Sequence, residues 1–227
     1  MAELSESLRD ATFYGILDTG YVAPENLVEK CKQLIATNCK IIQLRAKKQT
    51  EEERRKMAFE ILPLFKNPNA PCFIINDSPE LAAEICSIIP NAGLHIGQDD
   101  MPPRDAREII GKNRILGLST HSIEQATNAD MLDDVLDYFA VGPVFATNTK
   151  PGRIPVGLEL VSNVAKMSPK LPWFTIGGVN IKTIADVAKA GAERIVAVSD
   201  VLIPEDTTAS VNQLVEEFLK SRNIKEK

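Results

Sequence analysis

The sequence predicts an α/β protein, a single (β/α)8 barrel with its active site at the C-terminal ends of the strands. Three observations carry that prediction. Short runs rich in β-branched and aromatic residues recur eight times along the chain. A longer segment with helical signals follows each run, and alternation of this kind demands parallel strands. The 227 residues are also nearly exhausted by eight compact units of about 25–30 residues. A doubly wound open sheet is the alternative, but it would normally use fewer strands. No Pro/Ser-rich linker or shift in composition marks a second domain. Residues 1–227 are therefore read as one barrel, with 1–12 an N-terminal extension and 222–227 a solvated tail.

The elements follow in order. Phe13–Asp18 is the first strand candidate, and Pro24 with Glu25 opens the helix after it. In that helix Leu27, Cys31, Leu34 and Ile35 repeat at helical spacing. Ile41–Arg45 is the second strand, followed by a capping-box pattern at Thr50 and Glu53. Cys72–Asn76 is the third, with Ser78 and Pro79 starting its helix. Gly93–Gly97, Ile115–Ser119, Asp137–Val144, Trp173–Gly177 and Arg194–Ser199 supply the remaining five. The last helix is expected from about Thr208 to Leu219, with the solvated run SRNIKEK behind it.

Composition narrows the function classes. Lys and Arg number 26 against 31 Asp and Glu, a net charge of −5. Such a chain repels polyanions at long range, so nucleic acid and anionic membrane are not expected partners. An anionic ligand must then be held by a local cluster of cations or by a metal. The four cysteines, Cys31, Cys39, Cys72 and Cys86, lack CxxC spacing and stand apart from the two histidines, His95 and His121. Buried thiols in a reducing compartment are expected rather than zinc or a redox pair. The first ten residues contain acids and no apolar core of a signal peptide, and no apolar run approaches the ~20 residues of a membrane span. A cytoplasmic protein is expected, and its oligomeric state is left open to a homo-oligomer.

The barrel prediction says where chemistry should lie, because the βα loops converge at the strands' C-terminal ends. In Gln43-Leu44-Arg45-Ala46-Lys47 polar and apolar residues alternate, so an extended chain sets Gln43, Arg45 and Lys47 on one face. Three donors, two of them cationic, make a claw for a phosphate or diphosphate. The bland alternative is a solvated rim, but Ile41 and Ile42 already place this strand in the core. Asn76-Asp77 closes the third strand and Asp99-Asp100 follows the fourth. Asp77 and Asp100 could simply cap helices. Beside a phosphate claw, with Asn76 and Gln98 adjacent, they instead suggest Mg²⁺, which takes one or two carboxylates and completes its shell with phosphate and water. Gly177-Gly178 and Val198-Ser199 close the seventh and eighth strands, where backbone N–H groups can hold a second phosphate. A tight turn alone would also use the two glycines. Thr147, Thr149 and Lys150 lie in a polar loop after strand six. His121 is expected to be a hydrogen-bonded loop residue and His95 a structural one. Two phosphorylated small molecules meeting over Mg²⁺ is the inference from these residues.

The motifs Gln43-x-Arg45-x-Lys47, Asn76-Asp77, Gly93-Leu94-His95-Ile96-Gly97-Gln98-Asp99-Asp100, Gly117-Leu118-Ser119-Thr120-His121, Gly142-Pro143-Val144-Phe145-x-Thr147-x-Thr149-Lys150 and Ile176-Gly177-Gly178-Val179 resemble, in their order, the thiamine phosphate synthases. The resemblance runs from about Phe13 to Val201. It implies a (β/α)8 transferase joining a hydroxymethylpyrimidine diphosphate to a thiazole phosphate with release of pyrophosphate. Carried residue by residue, it implies that Gln43, Arg45, Lys47, Asn76, Ser119 and Lys150 bind the pyrimidine diphosphate. Arg45, Lys47, Ser119 and Lys150 would stabilise its departure. Asp77 and Asp100 would bind Mg²⁺, and Thr147, Thr149, Gly178, Val198 and Ser199 the thiazole phosphate. Asp99 stands where relatives commonly have Glu. The related thiazole tautomerases and a non-catalytic thiazole phosphate sensor are the rival classes. Retention of the cationic claw and both carboxylates argues against them.

Overall fold

A computed structural model of the protein describes residues 8–37, 39–67, 69–147 and 154–223. Its eight strands are β1 (Phe13–Asp18), β2 (Ile41–Arg45), β3 (Cys72–Asn76), β4 (Ala92–Ile96), β5 (Ile115–Thr120), β6 (Tyr138–Val141), β7 (Trp173–Ile176) and β8 (Ile195–Ala197). Each pairs in parallel with the next, and Phe13 opposite Ile195 closes β8 onto β1. The helices are α1 (Leu27–Ile35), α2 (Glu51–Ile61), α3 (Pro79–Ile88), α4 (Pro103–Ile110), α5 (Ile123–Asp130), α6 (Gly157–Met167), α7 (Ile184–Lys189), α8 (Ser199–Leu202) and α9 (Thr207–Asn223). The predicted barrel is the observed one.

Local chemistry explains both the agreements and the differences. The capping box at α2 forms in full: Thr50 N–H donates to Glu53 Oε2 at 2.8 Å, and Glu53 N–H to Thr50 Oγ1 at 3.3 Å. Thr50→Ala should cost about 1 kcal/mol, read as a shift in the urea midpoint with an unchanged slope. Ser78 does not cap α3. Its hydroxyl turns instead to the Glu51 carboxylate, so Pro79 alone marks that start. β6 ends at Val141, short of the expected Val144, because Pro143 has no N–H to continue a ladder. The final helix runs to Asn223 rather than Leu219, since Val211, Leu214 and Phe218 hold one buried face and Ser221 is buried beyond them. At the other end, Leu8 and Ala11, expected in an extension, are buried in the core.

Inside the barrel, side chains from opposite walls meet. Tyr14, Tyr138 and Phe174 pack edge to face, with ring centroids 5.3–5.7 Å apart. Gly117 makes room for this layer, because a Cβ there would lie 2.1 Å from the Tyr138 ring. The four cysteines are free and buried. Desolvation pushes the Cys31 thiol up to about 12 and those of Cys39 and Cys86 up to about 11, with Cys72 also raised well above its ordinary value. Among the described residues no helix is long and apolar enough to cross a membrane.

Candidate active site at the barrel mouth

Two clefts open at the C-terminal ends of the strands. The first, of about 670 Å³, is lined by Arg45, Lys47, Asn76, Asp77, His95, Gly97, Gln98, Asp99, Asp100, Ser119 and His121. These residues come from β2 to β5 and the turns after them, which is why neighbouring strand ends of a closed parallel sheet can bring them together. The second, of about 550 Å³, lies under the loops after β6, β7 and β8. Its lining includes Thr147, Gly177, Gly178, Val198, Ser199 and Asp200. The clefts adjoin where the His121 Nδ1 meets the Gly142 carbonyl, next to Pro143 of the second cleft.

In the first cleft the cations are already engaged with acids. Arg45 Nη1 donates to Asp18 Oδ2 at 2.6 Å, and Asp18, 2% exposed, also accepts from Gly20 N–H at 2.8 Å. The sequence reading missed Asp18, although a carboxylate ending the apolar strand Phe13–Asp18 is the same signal that singled out Arg45. Lys47 pairs with Asp77, and its side chain is 46% exposed, so it can swing to another anion. Asp77 has a left-handed backbone (φ 60°), a region Asp enters more easily than most residues. Burial raises the Asp77 carboxyl above the usual carboxylate range, Lys47 opposes the rise, and the Asp100 carboxylate adds to it. Two neighbouring carboxylates, one of them made harder to ionise by burial and by the other's charge, form a donor set suited to a divalent cation. Among the described residues no group of three or more His, Cys, Asp or Glu could hold a metal ion. A cation here would need oxygens from a ligand as well, as Mg²⁺ in phosphate sites does. Asp100 Oδ2 additionally accepts Gly97 N–H at 2.6 Å, fixing its turn.

Not every predicted residue reaches the cleft wall. Gln43 is buried one layer below Arg45, where its Nε2 donates to the Tyr14 hydroxyl at 2.7 Å. Thr149 and Lys150 lie outside the described residues. His95, expected to be structural, is buried within β4 yet also lines the cleft, and its Nε2 stands 2.9 Å from Ser119 Oγ. Gln98 Nε2 holds the Ser119 carbonyl at 2.7 Å. In the second cleft Gly178 has φ +66°, and a Cβ there would stand 2.6 Å from the Phe145 Cβ. The turn therefore demands glycine before any ligand arrives, and a bulkier residue would move the loop after β6. The helix after β7 begins at Ile184, not near Asn180. The intervening turn is held by Asn180 N–H donating to Thr183 Oγ1 at 3.0 Å, and that hydroxyl donating to the Gly178 carbonyl at 3.0 Å.

The profile of a family described as Thiamine monophosphate synthase matches residues 13–201. A thiamine-phosphate synthase of Pelotomaculum thermopropionicum is 36% identical over 208 residues, covering 91% of this chain and 92% of the relative. One of Synechococcus sp. is 35% identical over 93% of this chain, which spans only 58% of that longer relative. A thiamine phosphate pyrophosphorylase from Pyrococcus furiosus superposes with a TM-score of 0.74 at 27% identity, covering 99% of this chain and all of the other. Since the matched stretch takes in every barrel strand and both clefts, the chain belongs to the thiamine monophosphate synthase family.

Proposed function

We propose that the protein is a thiamine phosphate synthase that joins 4-amino-2-methyl-5-hydroxymethylpyrimidine diphosphate to 4-methyl-5-(2-phosphooxyethyl)thiazole, or its carboxylated form. Pyrophosphate is released. The observation that carries this is the pairing at one mouth of a cleft of cations and carboxylates with a second cleft of glycine and serine turns. Arg45 and Lys47, with Asn76 and Ser119 beside them, take the diphosphate, and Lys150 joins them in the sequence motif. Thr147, Gly178, Val198 and Ser199, with Thr149, take the thiazole phosphate.

The C–O bond to the diphosphate breaks with its electrons leaving on oxygen. The pyrimidine-stabilised methylene cation is then captured by the thiazole nitrogen. No nucleophile or base is required of the protein, so catalysis is positioning and stabilisation of leaving-group charge. Asp77 and Asp100 would hold Mg²⁺, which when bound supplies further positive charge against the diphosphate oxygens. The buried thiols suit a reducing, cytoplasmic setting. Pyrophosphate release should require both substrates. EDTA should stop it without changing the circular dichroism, because the core does not rest on an ion, and added Mg²⁺ should restore it. Full turnover in chelator would remove Asp77 and Asp100 from the metal role.

A further inference from the structure

A continuous chain of buried polar groups crosses the barrel beneath the first cleft. Gln43 Nε2 lies 2.7 Å from the Tyr14 hydroxyl, which lies 2.8 Å from the Tyr138 hydroxyl. Tyr138 is 2.9 Å from His95 Nδ1, and His95 Nε2 is 2.9 Å from Ser119 Oγ. The five side chains come from five different strands (β2, β1, β6, β4 and β5), and the last, Ser119, lines the cleft. A chain like this has a direction that donor counting can fix.

An amide nitrogen can only donate, so the Tyr14 oxygen accepts from Gln43. The single Tyr14 hydrogen then goes to Tyr138, and the single Tyr138 hydrogen to His95 Nδ1. That nitrogen must carry a lone pair, so a neutral ring keeps its proton on Nε2 and donates to Ser119 Oγ. Ser119 Oγ has then received its donor, and its own hydrogen is left to point into the cleft. Burial raises both tyrosines well above their ordinary range, so each remains an O–H donor. With the opposite direction, Ser119 would spend its hydrogen on the imidazole and face the cleft as an acceptor, which repels a diphosphate oxygen.

We propose that Tyr14, Tyr138 and His95 are positioning residues which, directed by Gln43, present the Ser119 hydroxyl to the cleft as a hydrogen-bond donor. The role rests on the diphosphate assignment of that cleft, whereas the direction of the chain does not. Gly117 belongs to the same device, because only a glycine lets Tyr138 lie across the barrel.

The test uses the full chain labelled with ¹⁵N-histidine. The sequence has only two histidines, so a His121→Asn variant assigns the spectrum. At neutral pH, without substrate, His95 should show a protonated Nε2 and an unprotonated Nδ1. Tyr138→Phe deletes one oxygen and keeps the ring; it should leave the tautomers mixed and lower kcat about tenfold, the scale of one hydrogen bond. In a Ser119→Ala background the same substitution should cost no more than about twofold, since coupled residues are not additive. If Tyr138→Phe fails to fold, Tyr14→Phe serves in its place, because it also frees the chain to reverse. A protonated Nδ1 in the wild type overturns the proposal. So does an equal loss of kcat from Tyr138→Phe in both backgrounds. If the protein released no pyrophosphate, the function assigned above would fail, yet the imidazole spectrum would still decide the direction of the chain.

Discussion

Asp77→Asn is expected to lower turnover by at least about two orders of magnitude, the scale of one lost preorganised electrostatic group, while the ligand-free protein becomes no less stable. The substitution keeps the side chain's size and removes its charge. It strikes the pair that would hold the metal. Thiazole phosphate, assigned to the cleft of Gly178 and Ser199, should still bind nearly as in the wild type by calorimetric titration. The stability effect has the opposite sign to the activity effect. Burial and the Asp100 carboxylate raise the pKa of Asp77 in the fold, so the folded state holds that proton more tightly than the unfolded chain. Ionised Asp77 therefore costs stability once pH rises above the unfolded carboxylate range, and the whole cost is present above the folded pKa. The neutral Asn escapes it. Lys47 loses a partner but is half exposed, so little is lost there. Melting at neutral pH should be unchanged or higher, with the difference vanishing as pH falls below the unfolded carboxylate range. Full activity, or loss of thiazole phosphate binding in an intact fold, would contradict the division into two clefts.

Arg45→Ala should be the most destabilising change at the mouth, at about 3–5 kcal/mol, because it strips the counter-ion from a buried carboxylate. Asp18 is the reason: it is almost fully buried and holds the guanidinium at 2.6 Å. On top of this, diphosphate affinity should fall by about 1.5–3 kcal/mol, the scale of a hydrogen bond to a charged group. The two effects separate in a double variant. Asp18→Asn combined with Arg45→Ala should regain most of the stability, since no buried charge is left alone, but none of the affinity. Arg45→Lys should keep the charge and lose the planar fork, restoring only part of the binding. Urea unfolding and substrate titration measure the two losses independently. If Arg45→Ala unfolds with the wild-type midpoint, the Asp18 pair is a surface contact in solution.

The strands were legible in the sequence because each is a short apolar run closed by a polar or glycine-bearing turn. Of the mouth, legibility stopped at residues whose own strand announces them. Arg45 and Lys47 stand out by alternation, and Asp77 and Asp100 by following strand ends. Tyr14 and Tyr138 do not, since aromatic residues in apolar runs read as core, and 124 positions separate the two hydroxyls that meet. His95 reads as an ordinary strand histidine until barrel closure sets its two nitrogens against Tyr138 and Ser119. Gln43 follows the alternation rule faithfully and still ends below the cleft, because period two gives a direction and says nothing about depth along the barrel axis. Boundaries slipped where a single residue decided them, Pro143 at the end of β6 and Ser221, buried past the expected end of α9.

The sealed cysteines have a practical consequence. Cys31 sits in α1, Cys72 at the start of β3 and Cys86 in α3, with Cys39 just ahead of β2. Each is desolvated and held protonated, so alkylating reagents meet almost no thiolate while the barrel is closed. Modification must then wait for an opening event, and the labelling rate at each position becomes a clock for the local breathing of its own element. One quenched time course with mass detection would rank helix and strand openings across the first half of the barrel, with no probe introduced into the protein.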